Sequence, residues 1–406
     1  MKVLLVDKFH YRFGGAERAY FDTADVLMAH GHEVAFFAMQ HPQNEPTPWS
    51  RFFVSQVDYG RDDYTLWQKV RMAARMIWNR EAQKKLEALL EEFRPDVAHL
   101  HLIYHQLSPS IIWTLAKHRI PMVMTLHDYK HISPNYNLFV RGKVWERAPY
   151  HCVGDRCVRD SVAASAVCTL EHYVHAWIGT YAKVNRYIAP SRFLIETSKR
   201  HGFTQEIAYV PQPLSPAEFN VPQYQREDYI LYIGRLSHEK GVRVLLDAFA
   251  ASRAPRLIVA GTGPDEDALK AHAQTLPGAA RITFAGFVAG AALTELAQKA
   301  RAVVVPSLWY ENAPYALLEA LAAGNVVIAA ASGGITERIV HGKNGFLYPP
   351  RDTQALTRLL DALSDIGDAR IRAAARASVA NLTHERYYTD LMTVYRDVVH
   401  LAKRAI

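Results

Sequence analysis

Short runs of apolar residues alternate along this chain with longer segments that carry one apolar face. The first run, KVLLV at residues 2–6, is followed by a loop and by a helical pattern over about residues 16–29. Continuous apolar runs are typical of strands buried on both faces, and their alternation with helices indicates parallel sheets and an α/β fold. Further strands are predicted at residues 96–102, 121–126, 187–190, 208–210, 229–233, 257–261, 282–285, 303–305 and 326–330.

A proline-rich segment divides these strands into two groups. Three prolines lie within residues 211–216, a composition that is expected of a linker. We therefore predict an N-terminal domain over residues 1–212 and a C-terminal domain over residues 213–384. The helical pattern of residues 385–406 is long enough to cross back onto the first domain.

The composition is that of a globular protein. The chain has 406 residues, of which 50% are hydrophobic and 21% are charged. Only residues 3–6 are apolar before Asp7, and no later run approaches the ~18 uninterrupted apolar residues of a membrane span, so we expect neither export nor a span. Three cysteines, Cys152, Cys157 and Cys168, are too few for a disulfide framework. A reducing cytoplasm is the predicted location.

The net charge of +7 is uneven, because a basic stretch lies at residues 67–85. This stretch contains six lysines and arginines but only one acidic residue, Glu81. Its apolar residues are spaced for one face of a single helix. Such a helix can lie on an anionic membrane surface, which would make the protein peripheral on the inner membrane, or it can pack on the core with a solvated charged face. Both interpretations stay open. The apolar positions are Trp67, Val70, Ala74, Ile77 and Trp78.

The stretch at residues 303–324, VVVPSLWYENAPYALLEALAAG, combines a strand, a polar loop and a helix. Pro314 suits the first turn of that helix, and Asn312 is predicted to cap its free N–H groups. Glu311 then lies in the loop and Glu319 in the helix. A carboxylate accepts two hydroxyls at once and a helix N-terminus attracts phosphate, so this pair of acids predicts a phosphorylated, polyhydroxylated ligand. The alternative is a capped helix with two solvated acids.

Other candidate residues stand at the carboxyl ends of predicted strands, where open parallel sheets bind their ligands. Gly14 and Gly15 open the first helix, where bare backbone can approach a ligand, although a tight turn would also explain them. His127 follows the strand at residues 121–126 and is either a ligand contact or a structural residue bonded to a backbone carbonyl. His99 and His101 alternate on one strand and are expected to be structural.

Arg235 and Lys240 lie in one strand-to-helix loop, within the sequence GRLSHEKG that begins at Gly234. Two fixed cations beside a helix N-terminus suit a diphosphate, whereas surface salt bridging is the alternative.

Two patterns suggest a metal, and neither is convincing. The acidic run at residues 265–267 has the form D-x-D, but acids in a first helical turn are already favoured by the helix dipole. Cys152 and Cys157 lie beside His151, yet with Cys168 as the only further cysteine they give no complete four-ligand zinc set. We expect no metal.

In their order and spacing these residues resemble a known family. The chain is similar to the retaining glycosyltransferases of family 4, which have the GT-B fold of two Rossmann-like domains with parallel sheets facing a central cleft. The matching features are Gly14-Gly15, His127-Asp128, Arg235 and Lys240 in GRLSHEKG, the G-x-G-P turn at residues 261–264, Glu311 and Glu319 with seven residues between them, and Gly333-Gly334.

The resemblance implies a nucleotide-sugar donor held mostly by the C-terminal domain. Arg235 and Lys240 would neutralise its diphosphate and Glu319 would hold the ribose. Glu311 would contact sugar hydroxyls, and His127 would face the donor sugar near the reacting carbon. These four, His127, Glu311, Arg235 and Lys240, are the predicted catalytic residues. The predicted donor-binding residues are Gly14, Gly15, Gly234, Arg235, Lys240, Gly263, Pro264, Glu311, Asn312, Ala313, Tyr315, Ala316, Leu317 and Glu319.

The resemblance also implies retention by front-face attack, in which the leaving phosphate accepts the acceptor's proton and no carboxylate nucleophile, cofactor or metal is needed. Two positions depart from the family pattern. Asn325 and Thr336 stand where proline is common, after the helix and after the glycine pair respectively. The segment at residues 130–175 resembles an insertion in a subset of the family that has more cysteines.

The implied function is sugar transfer to a glycan or a polyprenyl-diphosphate-linked acceptor, in the cytoplasmic assembly of a bacterial-type surface polysaccharide or glycolipid. The acceptor is expected on the N-terminal domain, where residues 67–85 would suit a lipid-linked sugar at an anionic membrane surface. Two alternatives stay open: a GT-B epimerase that acts on a nucleotide sugar, and a nucleotide-sugar-binding protein without turnover. No nucleic acid partner is expected.

Overall fold

Two six-stranded sheets organise the molecule, and every strand pairing within them is parallel. The computed structural model describes residues 1–59, 64–219, 225–366 and 369–404. The α/β architecture expected from the sequence is confirmed. The strands are β1 (Lys2–Val6), β2 (Glu33–Phe37), β3 (Val97–Leu100), β4 (Met122–Thr125), β5 (Phe139–Val140), β6 (Lys143–Val144), β7 (Arg186–Ala189), β8 (Ile207–Tyr209), β9 (Ile230–Ile233), β10 (Leu257–Ala260), β11 (Ile282–Gly286), β12 (Ala302–Val305), β13 (Val326–Ala330) and β14 (Phe346–Tyr348).

The first sheet has the order β2-β1-β3-β4-β7-β8 and the second the order β11-β10-β9-β12-β13-β14, while β5 and β6 form a separate antiparallel hairpin. The α-helices are α1 (Gly15–Ala29), α2 (Leu66–Ile77), α3 (Arg80–Phe93), α4 (Ile111–Lys117), α5 (Cys152–Asp155), α6 (Val162–Trp177), α7 (Arg192–Arg200), α8 (Pro216–Phe219), α9 (Val242–Ala250), α10 (Glu266–Thr275), α11 (Gly290–Lys299), α12 (Tyr315–Ala322), α13 (Ile335–Arg338), α14 (Thr353–Asp361), α15 (Leu363–Ile366), α16 (Ala369–Val379) and α17 (His384–Arg404). Short 3₁₀ turns lie at Pro48–Phe52, Pro149–His151, Tyr181–Lys183, His238–Lys240 and Ala279–Arg281.

The central strands are buried on both faces, as their unbroken apolar sequences predict. All five residues of β13 are fully buried, and so are the last four residues of β1. Parallel strands need helical crossovers, and these helices cover both faces of each sheet. The loops at the carboxyl ends of the strands are therefore the places where the two sheets can present functional side chains.

The C-terminal helix α17 packs on the first sheet. Tyr395 Oη lies 2.7 Å from His99 Nδ1 on β3, and Tyr387 Oη lies 2.7 Å from Thr23 Oγ1 on α1. The chain therefore passes twice between the two sheets. The two passages lie side by side, because the Leu214 amide donates to Leu382 O at 2.7 Å.

The basic stretch forms two helices, so the expectation of a single amphipathic helix is wrong. Asn79, which is 1% exposed, accepts a hydrogen bond from the Ala82 amide at 3.0 Å and starts α3. Its own amide donates to Ser110 Oγ at 3.0 Å, and its side-chain nitrogen donates to Gln106 O at 2.9 Å. These contacts fix Asn79 as a helix cap and end α2 just before it.

Helices α2 and α6 leave large apolar side chains in contact with solvent. Only Met76 is buried in α2, whereas Trp67 is 83% exposed, and Trp177 at the end of α6 is 89% exposed. The two helices lie together, with His175 Nε2 of α6 donating to Ile77 O of α2 at 2.9 Å. We call their outward apolar residues the α2–α6 face: Leu66, Trp67, Val70, Val162, Leu170, Tyr173 and Trp177.

Two of the three cysteines are bonded to each other. Cys152 and Cys157 form a disulfide across α5, while Cys168 is free and buried. The cysteine count predicts no disulfide framework, and it does not predict this single bond. The bond uses both sulfurs that the sequence offered as zinc ligands.

Across the residues that the structure describes, no helix has the length and apolarity that crossing a membrane requires.

The packing of α17 on the first sheet can be tested with two leucines of the same helix. Leu391 is fully buried, whereas Leu401 is 51% exposed. We expect Leu391→Ala to lower the free energy of unfolding by about 2–5 kcal/mol, because it removes a buried side chain and leaves a cavity. Leu401→Ala should change it by less than about 0.5 kcal/mol. Urea unfolding followed by circular dichroism measures both, and equal effects would show that α17 is not docked.

Candidate active site

The loops at the carboxyl ends of the two sheets meet at a single interface. Asn312, in the loop after β12, donates from Nδ2 to His127 O at 2.8 Å and accepts from Tyr129 Oη at 2.7 Å. Tyr315, the first residue of α12, donates from its hydroxyl to Asp22 of α1 at 3.0 Å. Residues predicted on opposite domains are thus in direct contact.

Asn312 does not cap α12, so that prediction is wrong. Pro314 is the residue before the helix, and no side chain caps it. Asn312 is 7% exposed, and both ends of its amide are used across the interface. A helix cap would bond only the side-chain oxygen of Asn312. His127 and Tyr129 bond both the nitrogen and the oxygen of this buried amide, so Asn312 contacts them and does not cap the helix.

Glu311 and Lys240 form an ion pair within the second sheet's loops. Lys240 Nζ lies 2.7 Å from Glu311 Oε1, and Ser307 donates to the same oxygen at 2.6 Å. Glu311 is 4% exposed, so its burial opposes ionisation. The charge and hydrogen bond of Lys240, with the hydrogen bond from Ser307, outweigh that burial and lower the pKa of Glu311. The sequence placed both residues at the site but did not predict that they pair.

The backbone around this pair is packed too tightly for side chains at two glycines. Gly241 has φ +71°, and a Cβ there would lie 2.0 Å from Pro306 O. Gly333 has φ +60°, and a Cβ there would lie 2.2 Å from the carbonyl oxygen of Glu311. Both Cβ–oxygen distances are much shorter than a van der Waals contact, and both φ values favour glycine. The glycine pair 333–334 therefore fixes the backbone that carries Glu311.

Glu319 is held by an arginine that the sequence reasoning missed. Arg18 of α1 forms ion pairs with Glu319 and with Glu218 of α8, and its guanidinium lies 3.9 Å from the centre of the Tyr315 ring. Burial raises the pKa of Glu319 to about 7, with Arg18 opposing the rise and Glu218 adding to it. The only sequence signal was the position of Arg18, one turn into the helix that follows Gly14-Gly15.

His127 is half-buried and its ring contacts another histidine. Its Nε2 lies 2.9 Å from His101 Nδ1, and the two rings are stacked at 5.1 Å. Burial lowers the pKa of His127 to about 3, so the ring is neutral at pH 7. Among the described residues, no backbone carbonyl accepts a hydrogen bond from its ring, so the structural alternative is not found there. His99 is structural as expected, bonded to Tyr395 and Thr125, whereas His101 is the neighbour that orients His127.

Arg235 is exposed at the end of β9, with its guanidinium 6.0 Å from the ring centre of Phe13 on the first domain's loop. Within the described ranges, no carboxylate forms an ion pair with it. The surface salt bridge that could have explained Arg235 is therefore not found in that part of the chain.

The remaining predicted residues surround these side chains. Gly15 is exposed, and a Cβ there would lie 3.6 Å from Tyr315 Cδ2, whereas one at Gly263 would lie 2.3 Å from Leu236 O. Leu317 is fully buried and its amide donates to Pro314 O at 3.0 Å, so neither its side chain nor its backbone N–H is available to a ligand. The others lie in the same loops or the first turn of α12: Gly14, Gly234, Pro264, Ala313 and Ala316.

The acidic run behaves as an ordinary helix start. Asp265 precedes α10, and Glu266 pairs with Lys270 one turn later at 2.7 Å. In the described residues, no three His, Cys, Asp or Glu side chains are grouped so that they could hold a metal ion.

Two sequence profiles match the chain. Glycosyltransferase Family 4 matches residues 13–218, which is just over half of the 406 residues, and Glycosyl transferases group 1 matches residues 216–379. The glycogen synthase of Mycobacterium tuberculosis is 26% identical over 417 residues, covering 96% of this chain and 92% of that protein. The uncharacterized glycosyltransferase MJ1607 of Methanocaldococcus jannaschii is 35% identical over 145 residues, which are 35% of this chain and 37% of that protein.

A solved structure has the same fold over the full length. HepE of Anabaena, crystallised with UDP-glucose, aligns with a TM-score of 0.64 and 18% identity, covering 100% of both chains.

Proposed function

Because the chain belongs to glycosyltransferase family 4, and so is a glycosyltransferase with the GT-B fold, we propose that it moves a sugar from a nucleotide-sugar donor to an acceptor with retention of configuration. The observation that carries the proposal is the ionised Glu311, held by Lys240 at the meeting of the two sheets. HepE binds UDP-glucose, which supports a nucleotide sugar as the donor.

The cations of the second domain would hold the donor diphosphate. Arg235 is exposed and has no described acid as a partner, so its guanidinium is free to bind phosphate oxygens in bidentate form. Lys240 uses one N–H on Glu311 and keeps two for phosphate. As the sugar–phosphate bond breaks, the electron pair stays on the phosphate oxygen, and these fixed charges stabilise it.

The two acids would take hydroxyls. Glu311, ionised and accepting from Lys240 and Ser307 through Oε1, keeps Oε2 for sugar hydroxyls. Glu319 would hold the ribose, with Arg18 supporting its charge from the first domain. His127, neutral and oriented by His101, would contact the donor sugar as a hydrogen-bonding group and not as a cation.

The chemistry follows from this arrangement. The acceptor hydroxyl attacks the anomeric carbon on the face that the phosphate leaves, and its proton passes to the departing phosphate oxygen. One C–O bond breaks and one forms, and no protein nucleophile is needed. We propose that Arg235, Lys240 and the N-terminus of α12 supply the positive charge that a divalent metal supplies in other enzymes.

The acceptor would lie on the first domain, and we propose a glycan or a polyprenyl-diphosphate-linked sugar used in bacterial-type surface polysaccharide or glycolipid assembly. The α2–α6 face supports the lipid-linked form, since Trp67 and Trp177 are almost fully exposed. Lys69 and Arg71 are exposed on α2, whereas Arg75 is turned to Glu81 at 3.1 Å. Exposed aromatic residues beside cations suit an anionic membrane surface on the cytoplasmic side.

The proposal is tested by measuring transfer with UDP-, GDP- and ADP-sugars in excess EDTA, with lipid-linked and soluble acceptors. We expect one donor class to be turned over, and we expect NMR of the product to show that the anomeric configuration is retained.

The Lys240→Met variant should lose most of the transfer activity, whereas the double variant Asp265→Asn with Asp267→Asn should keep it. Loss of activity in EDTA that Mg²⁺ restores would contradict the metal-free proposal. A changed donor without transfer would indicate an epimerase, and binding without turnover would indicate a binding protein.

Donor affinity should depend on pH through Glu319. Its pKa is raised to about 7, so it gains charge as pH rises through 7, and an ionised carboxylate accepts ribose hydroxyls better than a protonated one. We expect the KM for the donor to fall several-fold between pH 6 and pH 8. Glu319→Gln should raise KM and remove this dependence. An unchanged pH profile in Glu319→Gln would show that another group titrates.

Membrane binding should show separate ionic and apolar contributions. We expect co-sedimentation with phosphatidylglycerol vesicles that Lys69→Gln with Arg71→Gln reduces at low salt only, because the Debye length falls to ~3 Å at 1 M salt. Trp67→Ser with Trp177→Ser should reduce it at both salt concentrations. Lys343→Gln, which removes an exposed charge from the second domain, is the matched control. Absence of co-sedimentation at low salt would remove the membrane from the proposal.

A further inference from the structure

A cavity of about 350 Å³ lies in the second domain at the C-terminal end of α12, the end opposite to the candidate active site. Three arginines from two separate segments reach into it, one before β9 and two on α16. The residues that matter here are Arg226, Gln298, Arg372 and Arg376, with the backbone of Ala323 and Gly324.

The three guanidinium groups share two neighbouring carbonyl oxygens. Arg226 donates to Gly324 O at 2.9 Å and to Ala323 O at 3.5 Å. Arg372 also donates to Gly324 O, at 3.4 Å, and Arg376 donates to Ala323 O at 3.3 Å. Because adjacent oxygens accept all three cations, the three positive charges lie close together.

These charges lack an anionic partner in the described part of the chain. No carboxylate there forms an ion pair with Arg226, Arg372 or Arg376. The carbonyl oxygens at a helix C-terminus attract cations, but they carry only partial charge and do not neutralise three of them. Burial, followed by repulsion from Arg372 and Arg376, lowers the pKa of Arg226 to about 10. A group of like charges in a half-buried cavity favours an anion.

An unpartnered amide points to the same conclusion independently. Gln298 is 5% exposed and lines the cavity, and its Nε2 is buried with no hydrogen-bond acceptor among the described residues. Buried N–H donors are normally satisfied, so an orphan donor beside three guanidiniums indicates that an acceptor belongs there.

A fully buried asparagine beside the cavity holds one of its arginines. Asn325 is fully buried, accepts from Arg226 Nη1 at 3.3 Å and donates to Ala297 O at 2.6 Å. Asn325 therefore helps to fix Arg226 in the cavity, beside the helix end.

We propose that this cavity binds the phosphate group of a small soluble molecule. Arg372 uses two N–H groups and Arg376 uses one on backbone carbonyls, so both keep donors for phosphate oxygens, and Gln298 Nε2 supplies a further donor. The site is distinct from the donor diphosphate site at Arg235 and Lys240. The two are joined by α12, which spans ~12 Å over its eight residues and carries Glu319.

The experiment is a thermal-unfolding titration with inorganic phosphate and with pyrophosphate, at constant ionic strength set with sodium chloride. We expect a saturable rise of the unfolding midpoint in the wild type and in Arg358→Gln, a matched charge removal on the exposed face of α14. The rise should persist in Arg235→Ala with Lys240→Ala, which disables the donor site. It should be lost in Arg376→Gln and in Gln298→Glu.

Gln298→Glu also tests whether the protein stays folded. Its carboxylate would pair with the arginines, so its midpoint without phosphate should equal or exceed that of the wild type. The proposal is overturned if the wild type shows no saturable rise, or if the rise is lost in the donor-site variant and kept in Gln298→Glu. If phosphate has no effect but Gln298→Glu loses binding to phosphatidylglycerol vesicles, the cavity takes a lipid headgroup and the soluble ligand is wrong.

Discussion

The contact between the two sheets at their carboxyl ends is the constraint on which the rest of this molecule depends. Asn312 makes it by donating to the backbone of His127 and accepting from Tyr129. A buried amide is costly unless both of its ends are bonded, and these two hydrogen bonds satisfy both ends. The contact joins the loops after β4 and β12, which carry His127 and Glu311.

The two acids of the site share a sequence motif but have different environments. Glu311 is paired within its own domain and its pKa is lowered, whereas Glu319 is paired across the interface and its pKa is raised. Lys240 therefore secures a permanent charge, while the charge on Glu319 depends on how closely Arg18 approaches it. The position of the first domain therefore affects the pKa of Glu319 in the second domain, because Arg18 belongs to the first domain.

The sequence predicted what depends on local pattern. Apolar runs such as residues 326–330 identified the strands because burial on both faces leaves no polar position. What it missed depends on distant partners. Arg18 meets acids 200 and 301 residues away, and Asn79 ends a helix because Gln106 and Ser110 approach it. The disulfide was not predicted, because the number of cysteines in the chain does not show that Cys152 and Cys157 lie close enough to bond.

The return of α17 to the first sheet has a consequence for biosynthesis. The layer formed by Val3, Leu5 and Tyr20 is closed by Leu391 and Tyr395, which leave the ribosome after the whole second domain. Domains generally fold as units while the N-terminal part emerges first. In this protein the apolar layer of the first domain stays exposed until α17 has been synthesised and packs on it. A product that terminates before α17 therefore exposes a hydrophobic surface, which cellular quality control can recognise.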